Sequence, residues 1–106
     1  MRIDMSEKPN ITAIIYNKRG HVLSIGKNSY LKTHPLQAKH AIIVEQPNRI
    51  YLHAEIDAII KCRDLDRAFK IVITRLNKKG AAMLAKPCAI CQSAISQTPL
   101  QVVEHS

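Results

Sequence analysis

The sequence predicts a single α/β domain whose central sheet has about four strands. Runs rich in β-branched and apolar residues, the composition of strands, occupy 11–16, 21–26, 69–74 and 100–104. Two further segments place apolar residues at helical spacing, 54–63 and 88–96. Strands and helices that alternate along a chain are typical of α/β proteins. With 106 residues, the chain has the size of one domain.

The first two strand-like runs are joined by a short polar segment. Residues 17–20, Asn-Lys-Arg-Gly, are types that favour a tight turn. We therefore expect a β-hairpin over 11–26. The residues before it, 1–10, are polar and few, and we expect disorder or a brief turn there.

The segment after the hairpin shows no clear periodicity. Pro35 restricts the backbone at His34 to extended shapes, so we expect a loop over 27–40. Long irregular segments in small domains often bind ligands. The apolar run at 41–44 fits either a strand or a packing loop, and the sequence does not decide between them.

Composition favours a protein that attracts anions and does not span a membrane. The formal net charge is +8 and the pI is about 9.7, which favours phosphate-bearing partners. No apolar run approaches the roughly 18 residues that a membrane-spanning helix needs. The first residues also lack the apolar core of a signal peptide. We therefore expect a soluble, cytoplasmic protein with no membrane partner.

One histidine and two cysteines have the types and spacing of a metal site. Zinc favours nitrogen and sulfur ligands, and a catalytic zinc site takes three ligands from the protein and leaves the fourth position to water. His53, Cys88 and Cys91 supply three. The third cysteine, Cys62, follows His53 by nine residues on the same expected helix, or about 13 Å along its axis, so both could not bind one ion. We expect Cys62 to be a buried core thiol.

A carboxylate two residues after the histidine indicates what the metal site is for. Inside a helix, residues two apart point to nearly opposite sides, so His53 and Glu55 can converge only where a helix begins. Pro87 before Cys88 likewise indicates the first turn of a second helix. Two positive helix ends would then favour thiolates in the site. Asp57 lies near the start of the helix that follows His53, where its negative charge would complement the positive helix end, and we expect this structural role for it.

The pattern H-x-E followed by P-C-x-x-C resembles that of the zinc-dependent cytidine/deoxycytidylate deaminase superfamily. The resemblance covers about 11–104. It implies a truncated version of a three-layer α/β/α sandwich around a mixed sheet. It also implies that Glu55 is catalytic, and that Asn28 and Ala54 contact the substrate. The alternative for Asn28 is that it only closes the turn after Gly26.

The activity that this resemblance implies is hydrolytic deamination of a nucleobase. Zinc makes hydroxide available at neutral pH, and Glu55 would shuttle protons from the water to the ring nitrogen and the departing amine. The net charge and the loop cations favour dCMP or CMP, with Lys32 or His34 at the phosphate. Free nucleosides and purine substrates stay open. The family often has an acidic residue just before Pro87, where this chain has Lys86, and this departure leaves the substrate class unsettled.

Two other functions compete with a nucleotide deaminase. The net charge also suits a nucleic-acid base deaminase or a basic nucleic-acid-binding module, although three Tyr and one Phe are few for stacking on bases. A structural zinc domain is the third hypothesis, but such sites usually have four protein ligands.

The chain also ends before the last strand and helix of larger relatives, which would leave a strand edge uncovered. We therefore expect self-association into a homo-oligomer.

Overall fold

The sheet is built on β1 (Asn10–Tyr16), which lies between β2 (Val22–Lys27) and β3 (Lys70–Leu76) and is antiparallel to both. The computed structural model describes residues 10–29, 32–46, 52–76, 82–83 and 88–105. The predicted hairpin is confirmed. In its turn, Asn17 Oδ1 accepts hydrogen bonds from the backbone N–H groups of Arg19 (2.9 Å) and His21 (3.0 Å).

The other edge of β3 is shared by two short strands. β4 (Ala82–Met83) pairs antiparallel with its last residues, and β5 (Val102–His105) runs parallel to its first residues. The described sheet is therefore mixed and four strands wide, which confirms the α/β class and the approximate strand number.

Among the residues that the structure describes, three α-helices accompany the sheet: α1 (Pro35–Ile43), α2 (Ala54–Lys61) and α3 (Ala89–Ser96). A single 3₁₀ turn, Leu65–Arg67, follows α2. The last two helices agree with the prediction within one or two residues. No helix in the described part of the chain is both long and apolar enough to cross a membrane.

Our prediction of a loop over 27–40 is wrong for its second half, because α1 begins at Pro35. Proline is accepted at the first helical position, where its missing N–H is not needed. His34 precedes it in an extended conformation, and its Nδ1 accepts the N–H of Leu36 at 3.0 Å as an N-terminal cap. The undecided run at 41–44 provides the last residues of α1, of which Ile42 and Ile43 are exposed.

The buried side of α1 explains why the sequence did not reveal this helix. Its buried residues are Gln37, His40 and Ala41, at helical spacing. Two of the three are polar, whereas the apolar side chains of the last turn are in part exposed. A search for apolar periodicity therefore finds no helix, although burial follows the helical period.

Helix α2 packs directly on β2 and β1, and two polar contacts fix its position. Ser24 Oγ donates to the carbonyl oxygen of Ala58 at 2.8 Å, and the N–H of Lys27 donates to Asp57 Oδ2 at 2.9 Å. Asp57 also pairs with Lys61 at 2.9 Å. Asp57 therefore connects the helix start to the sheet as well as lying near the positive helix end.

The helices gather on one side of the sheet. α2 lies on β1 and β2, and both α1 and α2 contact α3. Ile56, Ile71 and Ile90, which are fully buried, join α2, β3 and α3 in one core that also contains Cys62, as expected. A second helical layer on the other face of the sheet is not among the residues that the structure describes. Of the expectation of disorder or a turn over 1–10, residues 1–9 likewise lie outside them, whereas Asn10 is the first residue of β1 and corrects it.

Gly26 is the point of closest approach between β2 and α2. A Cβ at this position would collide with backbone atoms of Ala54 and Ala58 and lie 2.8 Å from Ala58 Cα. These are rigid backbone atoms, so the helix itself would have to move. Only glycine therefore allows α2 to lie this close to the sheet.

We predict that Gly26→Ala lowers the free energy of unfolding by about 1–3 kcal/mol or more, because the added methyl group overpacks the β2–α2 contact. Chemical denaturation checks this. Gly20→Asn is the matched control: Gly20 has a φ of 81° with no atom within 4 Å of an added Cβ, and asparagine tolerates this backbone conformation. Equal destabilisation by both variants, or none by Gly26→Ala, would contradict this.

Candidate metal centre

The candidate ligands lie at the starts of two helices. His53 is the N-terminal cap of α2 and Cys88 is that of α3, each with extended backbone dihedrals. Cys91 is in the first turn of α3. Both helix starts agree with the sequence prediction, whereas Pro87 lies outside the described residues.

The three side chains converge through their ligand atoms. His53 Nδ1 lies 3.3 Å from Cys91 Sγ and 3.4 Å from Cys88 Sγ. All three ligand atoms lie within 4.8 Å of one another. In a tetrahedral zinc site with ordinary bond lengths, a nitrogen and a sulfur ligand are about 3.6 Å apart. The group could therefore hold a metal ion with little movement, and its nitrogen and sulfur donors suit zinc.

The two thiols influence each other strongly. The pKa of Cys88 is lowered to about 3, chiefly because the Cys91 thiol donates a hydrogen bond to its sulfur and also because His53 does so. The pKa of Cys91 is raised, because its proton is engaged by Cys88, because its side chain is buried, and because the negative charge of Glu55 is close. The cluster therefore favours ionisation of Cys88 before that of Cys91. A bound dication would favour the second.

Glu55 is the second residue of α2 and is buried, with 5% of its surface exposed. Its negative charge contributes to the raised pKa of the Cys91 thiol. Glu55 and His53 therefore lie together at the start of the same helix. The catalytic role of Glu55 stays a prediction.

The segment that carries two of the predicted substrate residues runs beside the chain that leads into His53. The N–H of Ser29 donates to the carbonyl oxygen of Leu52, and the N–H of Leu52 donates to that of Lys32, both at 2.9 Å. Lys32 is exposed. This pairing places the backbone of Lys32 beside Leu52, the residue before His53. A phosphate-binding role for Lys32 stays a prediction.

Asn28 and His34 have structural contacts of their own. Asn28 Oδ1 accepts the N–H of Ile11 at 3.0 Å, and its own N–H donates to the carbonyl oxygen of Ile11 at 3.2 Å, which extends the sheet beyond β2. His34 caps α1. Ala54 is fully buried in the contact with Gly26. Substrate roles for these three residues stay predictions.

Sequence reasoning missed two polar side chains that contact the ligand-bearing helices. Gln37 Oε1 accepts the backbone N–H of His53 at 3.2 Å, and His40 Nδ1 lies 2.8 Å from Ser93 Oγ of α3. Both side chains come from α1. The available signal was the Pro35 start followed by polar residues at helical spacing, which apolar patterns do not detect.

A basic groove of about 660 Å³ lies at the other end of the sheet. β3 spans seven residues, and at about 3.3 Å each its ends are roughly 20 Å apart. The groove adjoins the first end of β3, whereas the start of α2 lies beside the last residues of β2 near the other end. Its charged and aromatic lining comprises Lys18, Arg19, His21, Asp66, Arg67 and Phe69.

No protein-family model matches this chain, and no curated protein matches it. The chemistry of the site is therefore inferred from its own residues.

Proposed function

We propose that the protein is a zinc-dependent hydrolytic deaminase that converts cytosine to uracil in dCMP or CMP. It would be a member of the cytidine/deoxycytidylate deaminase superfamily. The observation that carries the proposal is the convergence of His53, Cys88 and Cys91, together with the buried carboxylate of Glu55, whose negative charge raises the pKa of Cys91. The order H-x-E, P-C-x-x-C adds the resemblance already described.

The ligand count favours a catalytic site over a structural one. Structural zinc sites are usually closed by four protein ligands, whereas catalytic sites keep one position for water. In the part of the chain that the structure describes, the group has three candidate ligands. Cys62 is the C-terminal cap of α2, at the opposite end of the helix from His53, so it does not provide a fourth ligand.

His53, Cys88 and Cys91 would hold a zinc ion, which would supply a bound water with a pKa near 7. Glu55 accepts a proton from the attacking water and delivers protons to the ring nitrogen and the departing amine. The water oxygen forms a bond to C4 of cytosine, the bond from C4 to the amino nitrogen breaks, and the products are uracil and ammonia. The reaction needs no oxidant or reductant.

A nucleotide is the preferred substrate because Lys32 lies beside the chain that enters His53. Its ammonium group would pair with the phosphate, while Asn28 would contact the sugar or base. Free nucleosides and purine nucleotides would undergo the same chemistry and differ only in pocket fit. A substrate panel separates these possibilities.

We predict that Glu55→Gln keeps bound zinc and lowers turnover by about 10³-fold or more, because glutamine cannot accept the proton of the attacking water. Mass spectrometry of a panel of cytosine, adenine and guanine nucleosides, monophosphates and triphosphates detects the product. Metal analysis measures the zinc. Glu104→Gln, an exposed carboxylate on β5, is the control and should keep wild-type turnover.

Two results would contradict this proposal. Near-normal turnover by Glu55→Gln would remove Glu55 from the mechanism. Absence of product from the zinc-loaded wild type across the whole panel would exclude a nucleoside or nucleotide deaminase.

The basic groove favours a second candidate function, a base deaminase that acts on single-stranded nucleic acid. A mononucleotide bound at the metal cannot reach a groove roughly 20 Å away, whereas a strand can extend over that distance. The groove carries Lys18, Arg19 and Arg67 against one acidic side chain. This excess of positive charge suits a phosphodiester backbone.

We predict for this candidate that the double variant Arg19→Ala/Arg67→Ala weakens binding of a single-stranded oligonucleotide and reduces the slope of log affinity against log salt concentration by about 1–2, because up to two phosphate contacts are lost. Fluorescence anisotropy measures both quantities. Arg63→Ala, an exposed cation outside the groove, is the matched control. An unchanged slope in the double variant would exclude the groove as a strand-binding surface.

A further inference from the structure

Helix α1 buries two polar side chains that the proposed chemistry does not use. Gln37 is fully buried and His40 has 1% of its surface exposed. They are three residues apart, so they lie on the same side of the helix. Burial of polar groups is costly unless they are hydrogen-bonded. Their partners therefore indicate what this side of α1 does.

Gln37 contacts the backbone of a metal ligand. Its Oε1 accepts the N–H of His53 at 3.2 Å. His53 is the residue at which the chain changes from extended structure to α2. This hydrogen bond therefore restrains the backbone at the point from which the imidazole projects.

His40 contacts the helix that carries the sulfur ligands. His40 Nδ1 lies 2.8 Å from the hydroxyl oxygen of Ser93. Ser93 follows Cys91 by two residues on α3. One face of α1 is thus connected to both ligand-bearing helices, once near His53 and once near Cys91.

We propose that Gln37 and His40 are positioning residues for the metal centre: α1 holds the start of α2 and the first turns of α3 at the separation that the metal needs. This inference depends on the metal site of the proposed function and not on the reaction or substrate. The distances of 3.3 and 3.4 Å from His53 Nδ1 to the two sulfurs are then maintained before metal binds. Preorganised ligands bind more tightly because less ordering remains to be done on binding.

The proposal predicts a loss of metal affinity that a general loss of stability does not produce. Residues that orient metal ligands typically change affinity 10–100-fold when they are replaced. Gln37→Met keeps a side chain of similar length and removes the oxygen that accepts the His53 N–H. Its zinc dissociation constant should therefore rise by about 10–100-fold.

Competition with a chromophoric chelator measures the dissociation constant, at a temperature at which thermal melting shows each metal-free variant to be folded. The visible absorption spectrum of the Co²⁺-loaded protein provides a second readout, because it depends on the geometry around the metal. Gln101→Met, an exposed glutamine at the other end of the sheet, should change neither quantity.

The His40 contact is tested with Ser93→Ala, which removes the hydroxyl partner at a half-buried site and leaves the imidazole in place. We expect a smaller rise in the zinc dissociation constant than for Gln37→Met, and a changed Co²⁺ spectrum. In a double-mutant cycle, Ser93→Ala and His40→Phe should be non-additive, because they remove the same contact. If Gln37→Met does not fold, this pair decides the matter.

Wild-type zinc affinity and an unchanged Co²⁺ spectrum in folded Gln37→Met, or in Ser93→Ala and His40→Phe, would overturn the proposal and leave these residues as ordinary stabilising contacts. None of these measurements uses a substrate. Failure of the deaminase proposal, seen as no product from the zinc-loaded wild type, is therefore distinguishable from failure of this one.

Discussion

Two helix N-termini meet at the metal centre, and each is occupied by a candidate ligand. The positive ends of α2 and α3 would repel each other if nothing negative lay between them. Cys88, whose pKa is lowered, and Glu55 supply that negative charge. The same arrangement explains why His53 and Glu55, two residues apart, can share one site.

The charge in this cluster also implies that metal binding and folding are coupled. The pKa of Cys91 is raised by its hydrogen bond to Cys88, by burial and by the negative charge of Glu55. A second thiolate is therefore costly without a cation. Binding of a metal ion by this group would release that proton and stabilise the folded arrangement of the two helices. The sheet provides the fixed side of this arrangement, since Gly26 lets α2 lie directly on β2 and Asp57 connects the helix start to Lys27.

The elements predicted correctly are those whose local chemistry and burial agree. The hairpin has a polar turn between apolar strands, and the starts of α2 and α3 follow from ligand spacing. Helix α1 could not be recognised in this way, because its buried positions are occupied by Gln37 and His40. The burial of these polar residues is compensated by hydrogen-bond contacts with His53 and Ser93, which are distant in sequence. Similarly, the contact of Asn28 with Ile11 depends on strand pairing that no local pattern reveals.

X-ray absorption at the zinc edge of the wild-type protein tests the metal centre most directly. A site made by His53, Cys88 and Cys91 with one open position predicts two sulfur atoms at about 2.3 Å and two lighter atoms at about 2.0–2.1 Å. Three sulfur neighbours would mean that a further cysteine closes the site and that it is structural. Zinc with no sulfur neighbour would contradict the site altogether.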